Sequence, residues 1–313
     1  MSEGDEGSLY KKRYIFRFVD LTPKVEKVSS QKVEDLIDHI ETISINDEHE
    51  SIKIALDNRN TKLVSEILDS SSDSTIWNFE DQHVLRKAAE YGFVELVKKL
   101  LLCNAVDPSA KEQEAFRMAV RNNHLDVVNL LLKDKRVDPS AVNNYAIVIS
   151  SSLGYTSIVK TLLEDERVDP SVTWNFPITQ ASKFGHHEVV DLLLRDRRVD
   201  PSSYNQSSIK WAAEENHIRV VKRLLEDSRV NPTAALLIGI KNGRVRIVEM
   251  LMNDIRINPA FNKQEPLMTA VSYGNVKIVE ILLKDRRVKS SNRMLELARE
   301  SNISRDIKKL LVR

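Results

Sequence analysis

Seven histidines, one cysteine and a recurring Asp-x-Arg triplet are the residues whose chemistry reaches beyond packing in this chain. Imidazoles and carboxylates at helical spacing hold zinc or move protons. His186 and His187 are the only adjacent histidine pair, and they do not complete a His-Glu-x-x-His motif. Cys103 follows Leu101-Leu102 with no histidine within two residues to activate it. A single cysteine also excludes an internal disulfide framework and a cysteine-built metal cluster. The triplet recurs at Asp134/Arg136, Asp165/Arg167, Asp196/Arg198, Asp227/Arg229, Asp254/Arg256 and Asp285/Arg287. Its structural reading is a ladder of exposed ion pairs, each contributing ~0–1 kcal/mol. Its functional reading is a basic ridge for an acidic partner, which the equal number of aspartates opposes. No glycine-rich phosphate loop or paired-acid motif appears. No catalytic, cofactor-binding or metal-binding residue is therefore assigned, and no cofactor is expected.

The elements that position these residues follow from a repeat. Pro108, Pro139, Pro170, Pro201, Pro232 and Pro259 each follow a Val/Ile-Asp/Asn pair at spacings of 31, 31, 31, 31 and 27. A fixed period in this range marks a stacked array. A second column holds Arg59, Gly92, Asn123, Gly154, Gly185, Asn216, Gly243, Gly274 and Asn302. Glycine and asparagine are the residues that best tolerate the left-handed conformation of a helix C-cap. Four residues earlier every position is small, as in Ala88, Ala119, Ser150, Ala181 and Gly239. Seven residues earlier stand Leu85, Phe116, Ile147, Ile178 and their equivalents, and five later Val97, Val128, Val159 and Val190. Offsets of three, four and five give each helix one apolar face. The predicted unit is a small-faced helix, a one-residue left-handed turn, a second amphipathic helix and a loop.

These columns resemble the ankyrin repeat over about residues 50 to 313. The closest unit runs Phe176-Pro-Ile-Thr-Gln-Ala-Ser-Lys-Phe-Gly-His-His-Glu-Val-Val-Asp-Leu-Leu-Leu194. The Thr-Pro-Leu-His opening survives only as Phe176-Pro177-Ile178 and Glu265-Pro266-Leu267. The family's Gly-Ala-Asp-Val-Asn hairpin is replaced by Arg-Val-Asp-Pro, a style similar to arrays of large DNA viruses and protists. The resemblance implies an all-α helix-turn-helix solenoid; the altered loop leaves shortened fingers and short turns in their place as the two alternatives. It also implies that His124, His186 and His217, just after the turn, bridge backbone groups. About nine repeats are expected over 50–313, the last a C-terminal cap because polar Arg299 and Asp306 enter its apolar columns. Residues 1–49 form an N-terminal extension with a capping helix expected over 31–43. A polar column before each first helix (His49, Gln82, Gln113, Asn144, Asn175, Gln206, Thr233, Gln264 and Asn292) is expected to make capping or loop hydrogen bonds. The unit between Asn216 and Gly243 is four residues short, and its loop over 226–233 is expected to lose the finger.

Lys plus Arg is 47 and Asp plus Glu 46, a net charge of +1 that gives no general attraction to nucleic acid or an anionic membrane. No apolar run approaches the length of a membrane span. The polar, acidic start is unlike a signal peptide, so a cytoplasmic monomer is expected, with a nuclear location left open. In ankyrin repeats the residues just before the turn marker face the concave surface, which here places Tyr91, Leu153, Phe184 and Tyr273 on it. The loop and helix start add Val142, Tyr145, Trp174, Phe176 and Tyr204. Large apolar residues gathered at solvent-facing positions indicate an interface. Packing between neighbouring loops is the competing explanation. The function implied is a non-catalytic scaffold or adaptor binding a protein partner on its concave face. The alternatives are a structural subunit of a larger assembly, or an adaptor recruiting ubiquitin-ligase or other machinery through its first 49 residues.

Overall fold

The computed structural model describes residues 48–71, 74–300 and 305–312. Residues 1–47 of the expected 1–49 extension, with its capping helix at 31–43, and the last turn marker, Asn302, lie outside the described residues. The chain divides into a unit ending at Ile76 and a second beginning at Trp77. The first unit contains α1 (Glu48–Asp57) and α2 (Thr61–Ser70). They bury Ile52, Ala55, Leu56, Val64 and Leu68 between them, and the Ser71 hydroxyl donates to the Glu48 carboxylate.

The second unit contains eight further helix pairs. They are α3 (Phe79–Tyr91) with α4 (Val94–Leu101), α5 (Ala110–Arg121) with α6 (Leu125–Leu132), and α7 (Ala141–Leu153) with α8 (Thr156–Leu163). There follow α9 (Val172–Lys183) with α10 (His187–Arg195), α11 (Ser203–Glu214) with α12 (Ile218–Leu225), and α13 (Thr233–Lys241) with α14 (Val245–Met252). The series ends with α15 (Phe261–Ser272) and α16 (Val276–Leu283), then α17 (Asn292–Glu300) and α18 (Arg305–Val312). Within this unit, odd-numbered helices pack on odd-numbered neighbours and even on even, giving two layers. Together with α1 and α2 this makes eighteen α-helices and no strand among the described residues. Short turns therefore stand where hairpin fingers would be.

The sequence columns have direct physical counterparts. All eight described turn markers have positive φ, from +57° at Arg59 to +79° at Gly185. The amide after each marker bonds back to the carbonyl of the small column, as from Tyr155 to Ser150 at 2.9 Å and from His186 to Ala181 at 2.9 Å. This closure satisfies carbonyls that a helix end leaves unpaired. The small side chains there are fully buried, as are Ile147, Ile178, Val159, Val190, Leu162 and Leu193. Each large aliphatic burial contributes ~1.5–3 kcal/mol, so the stacked layers supply most of the stability. In the last pair, Asp306 is exposed where its equivalent Ile278 is buried.

Six first helices contain three successive residues in the left-handed region, which the sequence columns do not announce: 80–82, 111–113, 142–144, 173–175, 204–206 and 262–264. Only α13 among the first helices α3 to α15 lacks this turn. Pro201 precedes Ile209 by eight residues, whereas Pro232 precedes the equivalent Leu236 by four. The short unit has thus lost its left-handed turn, while the Asp227–Pro232 loop expected to shrink is retained.

Candidate functional site: the face of the first helices

The loop and the left-handed turn of each unit are held by its neighbours. In the Asp-x-Arg loop the arginine Nε and amide both donate to its own aspartate, as at Asp134 with distances of 3.0 Å each. The same guanidinium reaches back to the preceding unit's loop. Arg136 donates to Val106 O at 2.7 Å, Arg167 to Val137 O at 2.7 Å and Arg198 to Val168 O at 2.7 Å. The arginine hydrogen bond holds each aspartate below the usual carboxylate range, and Asp285 falls to about 2. The valine of each loop is buried. The triplets are therefore joints between units and not a free basic ridge.

The polar column ends the left-handed turn and reaches forward. Asn144 Oδ1 accepts from the Asp169 amide and Asn175 Oδ1 from the Asp200 amide, both at 2.7 Å. The histidines reach backward: Nε2 lies 2.9 Å from Glu90 O for His124, 3.0 Å from Ser152 O for His186 and 2.9 Å from Lys183 O for His217. Nε2 therefore carries the proton in each. Burial lowers the His186 pKa below its usual value. Each ring lies on the marker glycine of the preceding unit, where a Cβ on Gly154 would come 2.5 Å from His186 Nδ1. Where the marker is asparagine the following unit supplies another side chain: Tyr155 after Asn123, Arg244 after Asn216. That pairing stands in the sequence as a correlation between neighbouring units, which column-by-column reading overlooks.

The candidate interface residues fall into two bands along the first helices. Val142, Trp174 and Tyr204 stand in the left-handed turns of three successive units and are 38%, 73% and 50% exposed. Phe184 and Tyr273, at the far ends of α9 and α15, are 46% and 57% exposed. Tyr91, Tyr145, Leu153 and Phe176 are half-buried. The right-handed run of α9 from Phe176 to Lys183 separates the bands by ~12 Å. Trp174 and Phe184 thus stand near opposite ends of α9. Tyr91 packs against Phe93 at 5.6 Å, and burial raises the Tyr145 phenol pKa.

Two contributors escape sequence reasoning. Lys183 Nζ lies 4.4 Å from the Trp211 ring centroid and 5.7 Å from that of Phe184, joining two aromatics of adjacent units. The other signal is a scarcity of charge. Helix α7 carries no charged side chain and α9 carries only Lys183, in a chain that is 30% charged. On the layer of second helices a cleft of about 330 Å³ is lined by Thr156, His187, Asp191 and Arg219 among others. Its centre is an ion-pair knot in which Asp191 accepts from Arg195 at 2.5 Å and Arg223 at 2.8 Å. No described group of His, Cys, Asp and Glu side chains is arranged to hold a metal ion, and no described helix is long and apolar enough to cross a membrane.

No curated protein sequence matches the chain. The family model for ankyrin repeats (three copies) matches residues 52–143, 146–234 and 209–293. Those segments run from within α1 through α16, leaving nearly all of the last helix pair outside, and the chain belongs to the ankyrin-repeat family.

Proposed function

We propose that this chain is a non-catalytic scaffold that binds a protein partner across the first-helix face of its central units. Ankyrin repeats generally mediate protein–protein interaction. The observation that carries the reading is the band of exposed Val142, Trp174 and Tyr204 beside two first helices with almost no charge. Aromatic anchors surrounded by uncharged surface are the usual composition of an interface core. The buried columns and the inter-unit hydrogen bonds hold the fold, which supports assigning the exposed Val142 and Trp174 to recognition. The partner's identity is set by this surface and not by the repeating columns.

The test pairs binding with stability. Trp174→Ala with Phe184→Ala should weaken capture of the native partner at least ~30-fold, about 2 kcal/mol, while the melting temperature stays near the wild-type value. A double variant that unfolds would assign these aromatics to packing. A folded double variant that captures every wild-type partner would move the interface elsewhere, with the first 49 residues the next segment to assay as an adaptor arm.

A further inference from the structure

The left-handed turns of α3 and α5 are capped by an arginine that α7 lacks. Arg86 Nε donates to Asp81 O and its NH2 to Glu80 O, both at 3.0 Å. Arg117 repeats the contact one unit later, with Nε on Glu112 O at 2.9 Å and NH2 on Lys111 O at 3.1 Å. These carbonyls belong to the first two residues of each left-handed turn. The hydrogen bonds that hold Arg117 thus end on main-chain oxygens and not on a carboxylate. Its guanidinium carbon lies 5.6 Å from the centroid of Tyr145, which stands on the next first helix. Two carbonyl oxygens and one aromatic face therefore form a guanidinium site inside this molecule.

In the following unit the same backbone turn is present at Val142 and Asn143, and Phe176 occupies the position equivalent to Tyr145. The arginine position holds Val148, which is too short to reach the carbonyls. No side-chain hydrogen bond to Val142 O or Asn143 O replaces it among the described residues. The surroundings complement a cation: carbonyl dipoles, a phenyl face, and no charged side chain anywhere on α7. Val142 and Trp174, both exposed, border this turn and the next.

We propose that this vacated position is a docking site for an arginine side chain of the protein partner. The guanidinium donates to Val142 O and Asn143 O and lies against Phe176, while an apolar side chain of the same segment rests on Val142 and Trp174. The planar fork of arginine suits paired carbonyls and an aromatic face in a way that lysine does not. This proposal rests on the partner-binding reading above and adds the partner's chemistry to it.

The test uses the full chain and a displayed library of random 12-residue peptides, with each selected peptide resynthesised as a fluorescent probe. Selected peptides should share an arginine beside a large apolar residue. Replacing that arginine by citrulline, which keeps the shape and removes the charge, should weaken binding at least ~10-fold. Val148→Arg fills the site from within, copying Arg86 and Arg117, and should weaken the same probe at least ~10-fold. Because Val148 is buried, Phe176→Leu serves as the second variant: it keeps apolar volume, removes the ring face and should weaken the probe several-fold. Peptides without arginine, no selected peptide at all, or a probe indifferent to both variants would overturn the proposal. Arginine-free peptides that still depend on Trp174 and Phe184 would overturn it while leaving partner binding on this face intact.

Discussion

Gly154→Asn tests whether one unit's turn marker and the next unit's histidine act as a single joint. Gly154 has φ +74° and lies under the His186 ring, so that a Cβ at this position would stand 2.5 Å from Nδ1, 2.7 Å from Cε1 and 2.8 Å from Cγ. Asparagine tolerates the left-handed conformation, as Asn123 does here at φ +62°, so the substitution isolates the steric conflict from backbone strain. The imidazole must move, and its hydrogen bond to Ser152 O at 3.0 Å is lost. A lost hydrogen bond with a partner left unpaired costs ~1–3 kcal/mol, and forcing a side chain out of a packed site costs ~1–3 kcal/mol. The expected destabilisation is ~2–6 kcal/mol, a melting-temperature drop of ~4 °C or more. Adding His186→Tyr recreates the Asn123–Tyr155 pairing, in which the tyrosine hydroxyl donates to Arg121 O at 3.3 Å. The double variant should recover ~1–3 kcal/mol relative to the sum of the single effects. Calorimetric melting of wild type, both single variants and the double variant closes the cycle. Additive effects, or Gly154→Asn melting within about 1 °C of wild type, would refute the joint.

Three further outcomes follow from the inter-unit contacts. Ala181→Leu overpacks a fully buried position and should cost ~1–3 kcal/mol in denaturant unfolding; an unchanged midpoint would mean that α9 has room there. Asn175→Ala removes the acceptor of the Asp200 amide and should raise hydrogen exchange at that amide, with a stability loss of ~1–3 kcal/mol; unchanged exchange would show that the bond does not hold the next loop. The loop aspartates have lowered folded pKa values, so their stabilisation is present above the ordinary value of 3.8 and is lost as pH falls through the folded values, about 2 for Asp285. His186, lowered by burial, contributes in full above its ordinary 6.5 and loses that contribution as pH falls below it. Melting temperature should therefore decline below about pH 6.5 and again between about pH 4 and 2; a flat profile across both windows would contradict these environments.

The fold is legible in the sequence because its determinants recur. The small column, the apolar offsets and the marker residues each repeat with one phase, and each becomes a buried contact or a left-handed turn. The loop triplets are legible as ion pairs, but their backward reach to Val106, Val137 and Val168 requires the neighbouring unit in space. The left-handed turns are not legible. Val142, Thr173 and Trp174 adopt positive φ, a conformation that β-branched and bulky residues rarely take, so residue type carries no signal there. The interface candidates are visible as unexpected apolar residues. Their division into two bands is not, because it depends on where the left-handed turn ends and the right-handed helix begins. Lys183 escapes notice because a single lysine near a helix end is ordinary until Trp211 is placed beside it.

The lost turn of the Thr233 unit shows what lengths this chain accepts. A complete helical turn returns the backbone to nearly the angular position from which it started, displaced along the axis by ~5 Å. Excising four residues from the turn therefore leaves the approach direction of the next helix almost unchanged, and Leu236, Gly239 and Val248 keep their buried places. Removing two residues would instead arrive half a turn out of phase. Length change within this turn is thus favoured in single turns of about four residues, whereas the connecting loops accept other lengths, as the 33-residue step from Arg59 to Gly92 shows. A lineage carrying this gene would accumulate in-frame losses of about twelve nucleotides at these turns far more readily than losses of six. Each such loss would change the rim presented to a partner without disturbing the layers beneath.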